Sequence, residues 1–312
     1  LALGVKPGDE VITQAFTFVA TIEAIVESGA TPVIANIDEN LDLDIGDLKK
    51  KISDKTKCIM PVHMLGNPSN MAQINRLARK HKLFVIEDVA WGLGGSYKGN
   101  KLGSIGNIGA FSFDHAKALT TGEGGMLTFK NKQLYLNARA WHDHGHESNP
   151  KLPRWEDSRK DSGFNFRMNE IQGALGSVQL KKLDKLIQFQ IKKKQKLSNI
   201  VKKYGFKVRT NYANTIDTCD SFIFFAKDSS EAISLKSHLT KYKISTKILP
   251  EAISWHFAGK FNHIKKIKNI KTLSKNLAIS ESHLSKAISL PIMFKDSKIE
   301  INLLKAIKNF IR

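Results

Sequence analysis

One lysine stands in a setting that suits chemistry. Lys117 sits in the run FSFDHAKALTTGEGG (111–125), five positions after Ser112 and just before a Thr-Thr-Gly-Glu-Gly-Gly stretch. A lysine that reacts as an amine needs a site that excludes water or lowers its pKa. The serine hydroxyl and the backbone N–H groups of a Gly- and Thr-rich turn are donors suited to a phosphate. Together they point to a Schiff-base lysine beside a phosphate seat. For a lysine taken alone, a solvated surface position is the ordinary reading.

A second stretch upstream shifts that balance. Residues 83–88 read Leu-Phe-Val-Ile-Glu-Asp, an apolar strand that closes on two acids. Buried parallel strands have this pattern, and open α/β sheets bind ligands at the carboxyl ends of their strands. A pyridoxal phosphate (PLP) ring needs a carboxylate against its pyridine nitrogen to act as an electron sink. Asp88 is the candidate for that position, and Glu87 its competitor.

The elements that must position these groups follow from the pattern around them. Strands are expected at 11–13, 31–37, 57–63, 83–88, 108–113 and 125–129. Helices are expected near 19–28, 44–51 and 70–82. This alternation predicts an α/β fold with a mostly parallel sheet covered by helices. A long helix is predicted from 169 to 188, with Ile171, Leu175, Val178, Leu183 and Leu186 on its apolar face. A lysine-rich helical stretch (189–203) then leads to a shorter alternation of strand and helix. The expected division is a large domain over 1–188 and a smaller C-terminal α+β domain, with its helical linker, over 189–312. The segment 134–160 is long, polar and rich in His and Trp, and reads as a functional loop.

The run VIEDVAWGLGGSYKGNKLGSIGNIGAFSFDHAKALTTGEGGML (85–127) resembles the DegT/DnrJ/StrS aminotransferases. The likeness extends to residues 7–38 and 162–186 and returns weakly at 288–292. An Asp, then Ser-x4-Lys, then Asn-x-Arg-Met-x-Glu, in this order, is a specific combination. The resemblance implies a fold-type-I PLP-dependent transferase with a seven-stranded type of sheet. It implies that Lys117 is the catalytic lysine and that Asp88, Ser112, Phe18 and Asn165 hold the cofactor. Asn165 would do so from a partner subunit, in a homodimer with shared sites. Trp91 stands near the ring where many relatives have Gln, His or Glu, and an indole accepts no hydrogen bond there.

The same resemblance implies a sugar substrate and an amino-acid donor, glutamate by family pattern. His144, in a His-Gly pair, is expected at the substrate. His63, at a strand exit, is divided between a site wall and a structural cap. Arg159, with Arg154 and Lys151, would meet an anionic group on the acceptor. The Asp88-Val-Ala-Trp91 signature and the loop WHDHGH (141–146) look like the branch that aminates an oxidised eight-carbon acid sugar, giving 8-amino-3,8-dideoxy-octulosonate for lipopolysaccharide. The alternative acceptor is a nucleotide-linked 4-keto sugar. The alternative of another class is a cofactor-binding or regulatory homologue without catalysis. Relatives carry a further segment before the residue that is Leu1 here, with a Ser-Gly-Thr loop for the cofactor phosphate.

Composition bounds the rest. The chain has 312 residues, 41% hydrophobic and 25% charged, with a net charge of +20. The excess is lysine scattered along the sequence, with no recognition helix or aromatic stacking platform, so a nucleic-acid partner is not expected. No apolar run is long enough for a membrane span. The two cysteines, Cys58 and Cys219, form no metal-binding spacing and suit a reducing cytoplasm. His142, His144 and His146 lie close together, but their spacing matches no usual zinc pattern, and no metal is expected.

Overall fold

Short apolar runs punctuated by capped helices build the first half of the chain. The computed structural model describes residues 1–159, 161–218, 220–250, 253–264, 276–293 and 298–311. In order come β1 (Glu10–Gln14), α1 (Val19–Glu27), β2 (Thr31–Ala35), α2 (Ile45–Lys51), β3 (Thr56–Met60), α3 (Met71–His81) and β4 (Phe84–Asp88). The small strands β5 (Ser96–Tyr97) and β6 (Asn100–Lys101) precede β7 (Ile108–Ser112) and β8 (Gly125–Phe129). Asp44 starts α2 by accepting from the Gly46 and Asp47 amides, and Asn70 starts α3 by accepting from that of Gln73. These caps satisfy amides that the first helical turn leaves without partners.

Six strands form the central sheet, in the order β2-β1-β3-β4-β7-β8. All neighbours run parallel except β7 and β8. The mostly parallel α/β expectation therefore stands, with six strands among the described residues where a seven-stranded type was expected. Because β4 and β7 are parallel, with Asp88 opposite Ala110, Asp88 and Ser112 reach the same edge of the sheet. On one face, Ile12, Leu48, Ile59, Ile74 and Val85 pack with α2 and α3 into a buried core.

The second half continues with α4 (Lys132–His142), α5 (Glu170–Leu180), α6 (Leu183–Lys203), β9 (Lys207–Val208), β10 (Thr215–Ile216), β11 (Ser221–Phe225), α7 (Ser229–Lys241) and β12 (Ala287–Pro291). A three-stranded antiparallel sheet, β12-β11-β9, packs Phe222, Phe224, Ile288 and Leu290 against α6, α7 and the C-terminal helix Ile299–Ile311. A further core mixes the two halves: Phe16, Ile22 and Ile37 lie with Ile223, Leu249, Phe257 and Leu284. The boundary expected at 188/189 falls inside α6. Cys219 lies outside the described residues.

Two expectations are corrected. The polar segment 134–160 is not loop throughout, because α4 runs to His142; Asn131 caps it by accepting from Gln133 and Leu134. The single helix expected over 169–188 breaks between α5 and α6. Beyond the break, Leu183 and Ile187 pack against Gly94, so closely that a Cβ there would lie 2.2 Å from the Ile187 Cδ1. Before it, the apolar residues of α5 stay outside: Ile171 is 81% exposed.

Candidate active site

The site forms where β4 and β7 end. Asp88 closes β4, and its carboxylate is held on both oxygens. Thr21 Oγ1 donates to Oδ2 at 2.7 Å, and the Ala90 amide donates to Oδ1 at 3.1 Å. Thr17 Oγ1 stands 2.7 Å behind the Thr21 hydroxyl, so the first turn of α1 braces the acid. Ser112 closes β7, and its hydroxyl accepts a long 3.4 Å bond from the Asp114 amide. Lys117 lies in the β7–β8 loop, with its Nζ 3.8 Å from the centroid of the Trp91 indole. That distance is in the cation–π range.

Burial lowers the Lys117 pKa from its ordinary value. Asp114, Asp88 and Asp220 pull it back up, and Lys247 pushes it further down. Its amine is therefore more available than that of a surface lysine. The Trp91 carbonyl accepts from Thr218 Oγ1 at 2.9 Å. Thr218 also crowds Gly66: at φ +81°, a Cβ on that residue would stand 1.9 Å from the threonine hydroxyl. Only glycine permits this approach, which seats Thr218 against the Trp91 turn.

Phe18, at the start of α1, is 41% exposed, with its ring 5.5 Å from that of His256. The chain around His256 joins the same wall, because its carbonyl accepts from the Thr17 amide and the Ala258 amide donates to the Ala15 carbonyl. Trp255, by contrast, points into solvent, 68% exposed.

Glu87 and His63 do something else. Both are fully buried. The Ser69 amide donates to His63 Nδ1, so Nε2 carries the proton and donates to Glu87 at 3.1 Å. Glu87 also accepts from the amides of Gly103, Ile105 and Gly106 at 2.7–2.9 Å. Burial would raise this carboxyl, but the His63 hydrogen bond and the Gly106 and Gly103 amides outweigh it and hold it below the usual range. Of the two readings of His63, site wall or structural cap, its position favours the cap: it has no exposed surface, and both ring nitrogens are engaged.

The loop after α4 is laced internally. Arg154 clasps Asp143 with two 2.7 Å bonds, and Arg167 adds a third. His146 is buried against Asp157 at 3.0 Å. Arg154 is thus spent on a structural clasp rather than free for an acceptor. Lys151, His144 and Arg159 are exposed on this loop, with His144 at φ 51°. Asn165 is exposed and pairs by backbone with Asp143. Among the described residues, no three His, Cys, Asp or Glu side chains gather as a metal site.

The structure therefore brings Lys117, Asp88 and Trp91 together, with Ser112 at the same sheet edge, and places Asn165, His144 and Arg159 on exposed loops. Sequence reading missed Thr17 and Thr21, whose i, i+4 spacing was the available signal. It also missed Lys247 and Asp220. Lys247 Nζ is 2.7 Å from Asp220 Oδ2 and 4.8 Å from the Trp91 centroid. No local pattern ties those two to Lys117.

Known proteins share both sequence and fold. A GDP-perosamine synthase from Escherichia coli O157:H7 is 36% identical over 251 residues, covering 79% of this chain and 66% of that protein. One from Caulobacter vibrioides is 40% identical over 185 residues, covering 59% of this chain and 48% of that protein. The chain thus spans between about half and two thirds of these relatives' lengths. Among solved structures, an aminotransferase from Psychrobacter cryohalolentis superposes with a TM-score of 0.87 at 28% identity, covering 99% of this chain and 82% of that one. Helicobacter pylori PseC, described as an aminotransferase in pseudaminic acid biosynthesis, gives 0.84 at 26%, covering 98% and 80%. The family model for DegT/DnrJ/EryC1/StrS aminotransferases matches residues 1–302, and the chain belongs to that PLP-dependent family.

Proposed function

We propose that this chain carries the lysine-bearing site of a PLP-dependent sugar aminotransferase. The observation that carries the reading is the Lys117 amine, its pKa lowered chiefly by burial, near the braced Asp88 carboxylate. The residues present fit the cofactor. Asp88 would hold a proton on the pyridine nitrogen, Ser112 would donate to the phosphate, and Trp91 and Phe18 offer aromatic walls. When bound, PLP supplies an electrophilic aldehyde and an electron sink. Lys117 Nζ would then hold the cofactor and carry the proton that amino transfer moves between carbons. Thr21 and Thr17 keep Asp88 from turning away.

The relatives' names support a nucleotide-linked sugar as acceptor; glutamate as donor is what the family resemblance implies. The second reading, an oxidised octulosonate, rests on the Asp88-Val-Ala-Trp91 signature and the loop WHDHGH (141–146). Its case is weaker now that Arg154 is clasped to Asp143. The homodimer reading is supported by apolar side chains left in solvent beside Asn165 in sequence and on α5 and β8: Phe166 is 68% exposed, and Ile171, Val178, Met126 and Leu127 are also exposed. A second copy covering these side chains would bring an Asn165 toward the neighbouring site. Sedimentation should show a dimer that Ile171→Glu shifts to monomer; a wild-type monomer at all concentrations would remove this part of the reading.

The decisive test is spectroscopic. With added PLP, the protein should gain a visible absorption band that borohydride fixes covalently at Lys117 and that Lys117→Ala lacks. Trapping at another lysine, or none in any form of the protein that binds PLP, refutes the assignment. Turnover of the two acceptor classes with glutamate then separates them.

A further inference from the structure

The site contains a second ammonium that the reading above does not use. Lys247 follows α7 and reaches the Trp91 indole from the C-terminal half of the chain, while Lys117 reaches it from the β7–β8 loop. Lys247 is not a free arm. Its Nζ is tied to Asp220 Oδ2, and Asp220 immediately precedes β11. The Lys247 amide donates to the Ser289 carbonyl at 2.7 Å, and the Leu249 amide to the Ser289 hydroxyl. Both ends of the ion pair are therefore fixed to the β11–β12 sheet. That sheet meets the Trp91 turn through Thr218 and Gly66.

Resting on the reading above, we propose that Lys247, pinned by Asp220, is a positioning residue that acts on the Lys117 amine across Trp91, so that the C-terminal half of the chain sets the charge of the reactive lysine. Two cations beside one indole repel, and a charge held by a fixed partner cannot swing away to relieve that repulsion. Four charged groups act on Lys117: Asp114 on its own loop, Asp88 at the end of β4, and Asp220 and Lys247 from the C-terminal half. The three acids favour the ammonium form. Lys247 opposes them, and burial works in the same direction. Without Lys247, Lys117 would face only acids, and less of it would be free amine at neutral pH.

The test is competitive acetylation of the whole chain over a pH series, with the Lys117 peptide quantified by mass spectrometry. This readout needs neither bound cofactor nor turnover. Lys247→Met should raise the pH midpoint of Lys117 labelling by roughly half a unit or more. Lys247→Arg, which keeps the charge, should restore the wild-type midpoint. An unchanged or lowered midpoint in Lys247→Met, or an equal rise in Lys247→Arg, overturns the proposal. If Lys247→Met does not fold, Asp220→Asn decides: a lowered midpoint is expected, and an unchanged or raised one overturns it. Failure here with intact borohydride trapping at Lys117 would remove the role of Lys247 and leave the aminotransferase reading standing.

Discussion

Asp88 shows how one residue depends on neighbours that carry no charge. A carboxylate at a strand end is free to rotate unless something holds it, and here the Thr21 hydroxyl and the Ala90 amide occupy both oxygens. Hydrogen bonds to a charged group contribute about 1.5–3 kcal/mol. Thr21→Val keeps the shape and removes the donor, so its PLP dissociation constant should rise about tenfold or more, with fold stability changed far less. Absorption titration with PLP measures this, and Thr21→Ser should recover most of the affinity. Unchanged affinity would mean that Asp88 needs no brace.

At the scale of elements, Glu87 ties β4 to the turn over 103–106. Three turn amides and His63 Nε2 converge on its two oxygens, which aligns β4 with the start of β7 and so sets Asp88 beside Ser112. The folded state holds this carboxyl below its ordinary value. Its contribution is therefore complete above the unfolded glutamate pKa of about 4.3 and is lost as pH falls through the lower folded value. Glu87→Gln presents an NH2 group to donors and should cost about 3 kcal/mol near neutrality. The variant should also lack this part of the acid-side loss. Urea midpoints of both proteins across pH 3–7 would show their difference narrowing toward acid; a constant difference would contradict the account.

For the whole molecule, the join between halves is polar as well as apolar. Arg209, which follows β9, donates to the carbonyls of Asn40, Leu41 and Met64 and to Asp42 at 2.8 Å. Its side chain is 3% exposed and that of Asp42 1%. Burial raises the Asp42 pKa, while the Arg209 charge and the Asn67 hydrogen bond oppose that rise. Breaking such a pair from one side leaves a buried charge without compensation and costs about 3–5 kcal/mol. Arg209→Met should lower stability by that amount in urea unfolding. Pairing it with Asp42→Asn should recover part of the loss, because the second change removes the stranded charge. A near-neutral Arg209→Met would show that the apolar core around Phe16 and Phe257 holds the halves together without it.

The sequence by itself determined the class of fold and marked the residues of the candidate site. Alternating apolar runs and caps specify strands and helices locally, and Asp88 and Ser112 end adjacent parallel strands, with Lys117 in the loop that follows the second. Tertiary structure decided what local pattern cannot encode. His63 has the residue type of a site group, yet its partners, Ser69 and Glu87, bury it. Arg154 has the charge to meet an anion, yet Asp143 takes it. The apolar face of α5 has the periodicity of a core helix, yet nothing among the described residues covers it. Lys247 and Asp220 come to Trp91 across more than a hundred residues of chain, because the β11–β12 sheet docks where Gly66 leaves room for Thr218. Such contacts depend on how the halves meet, and that is a property of packing rather than of any local run of residues.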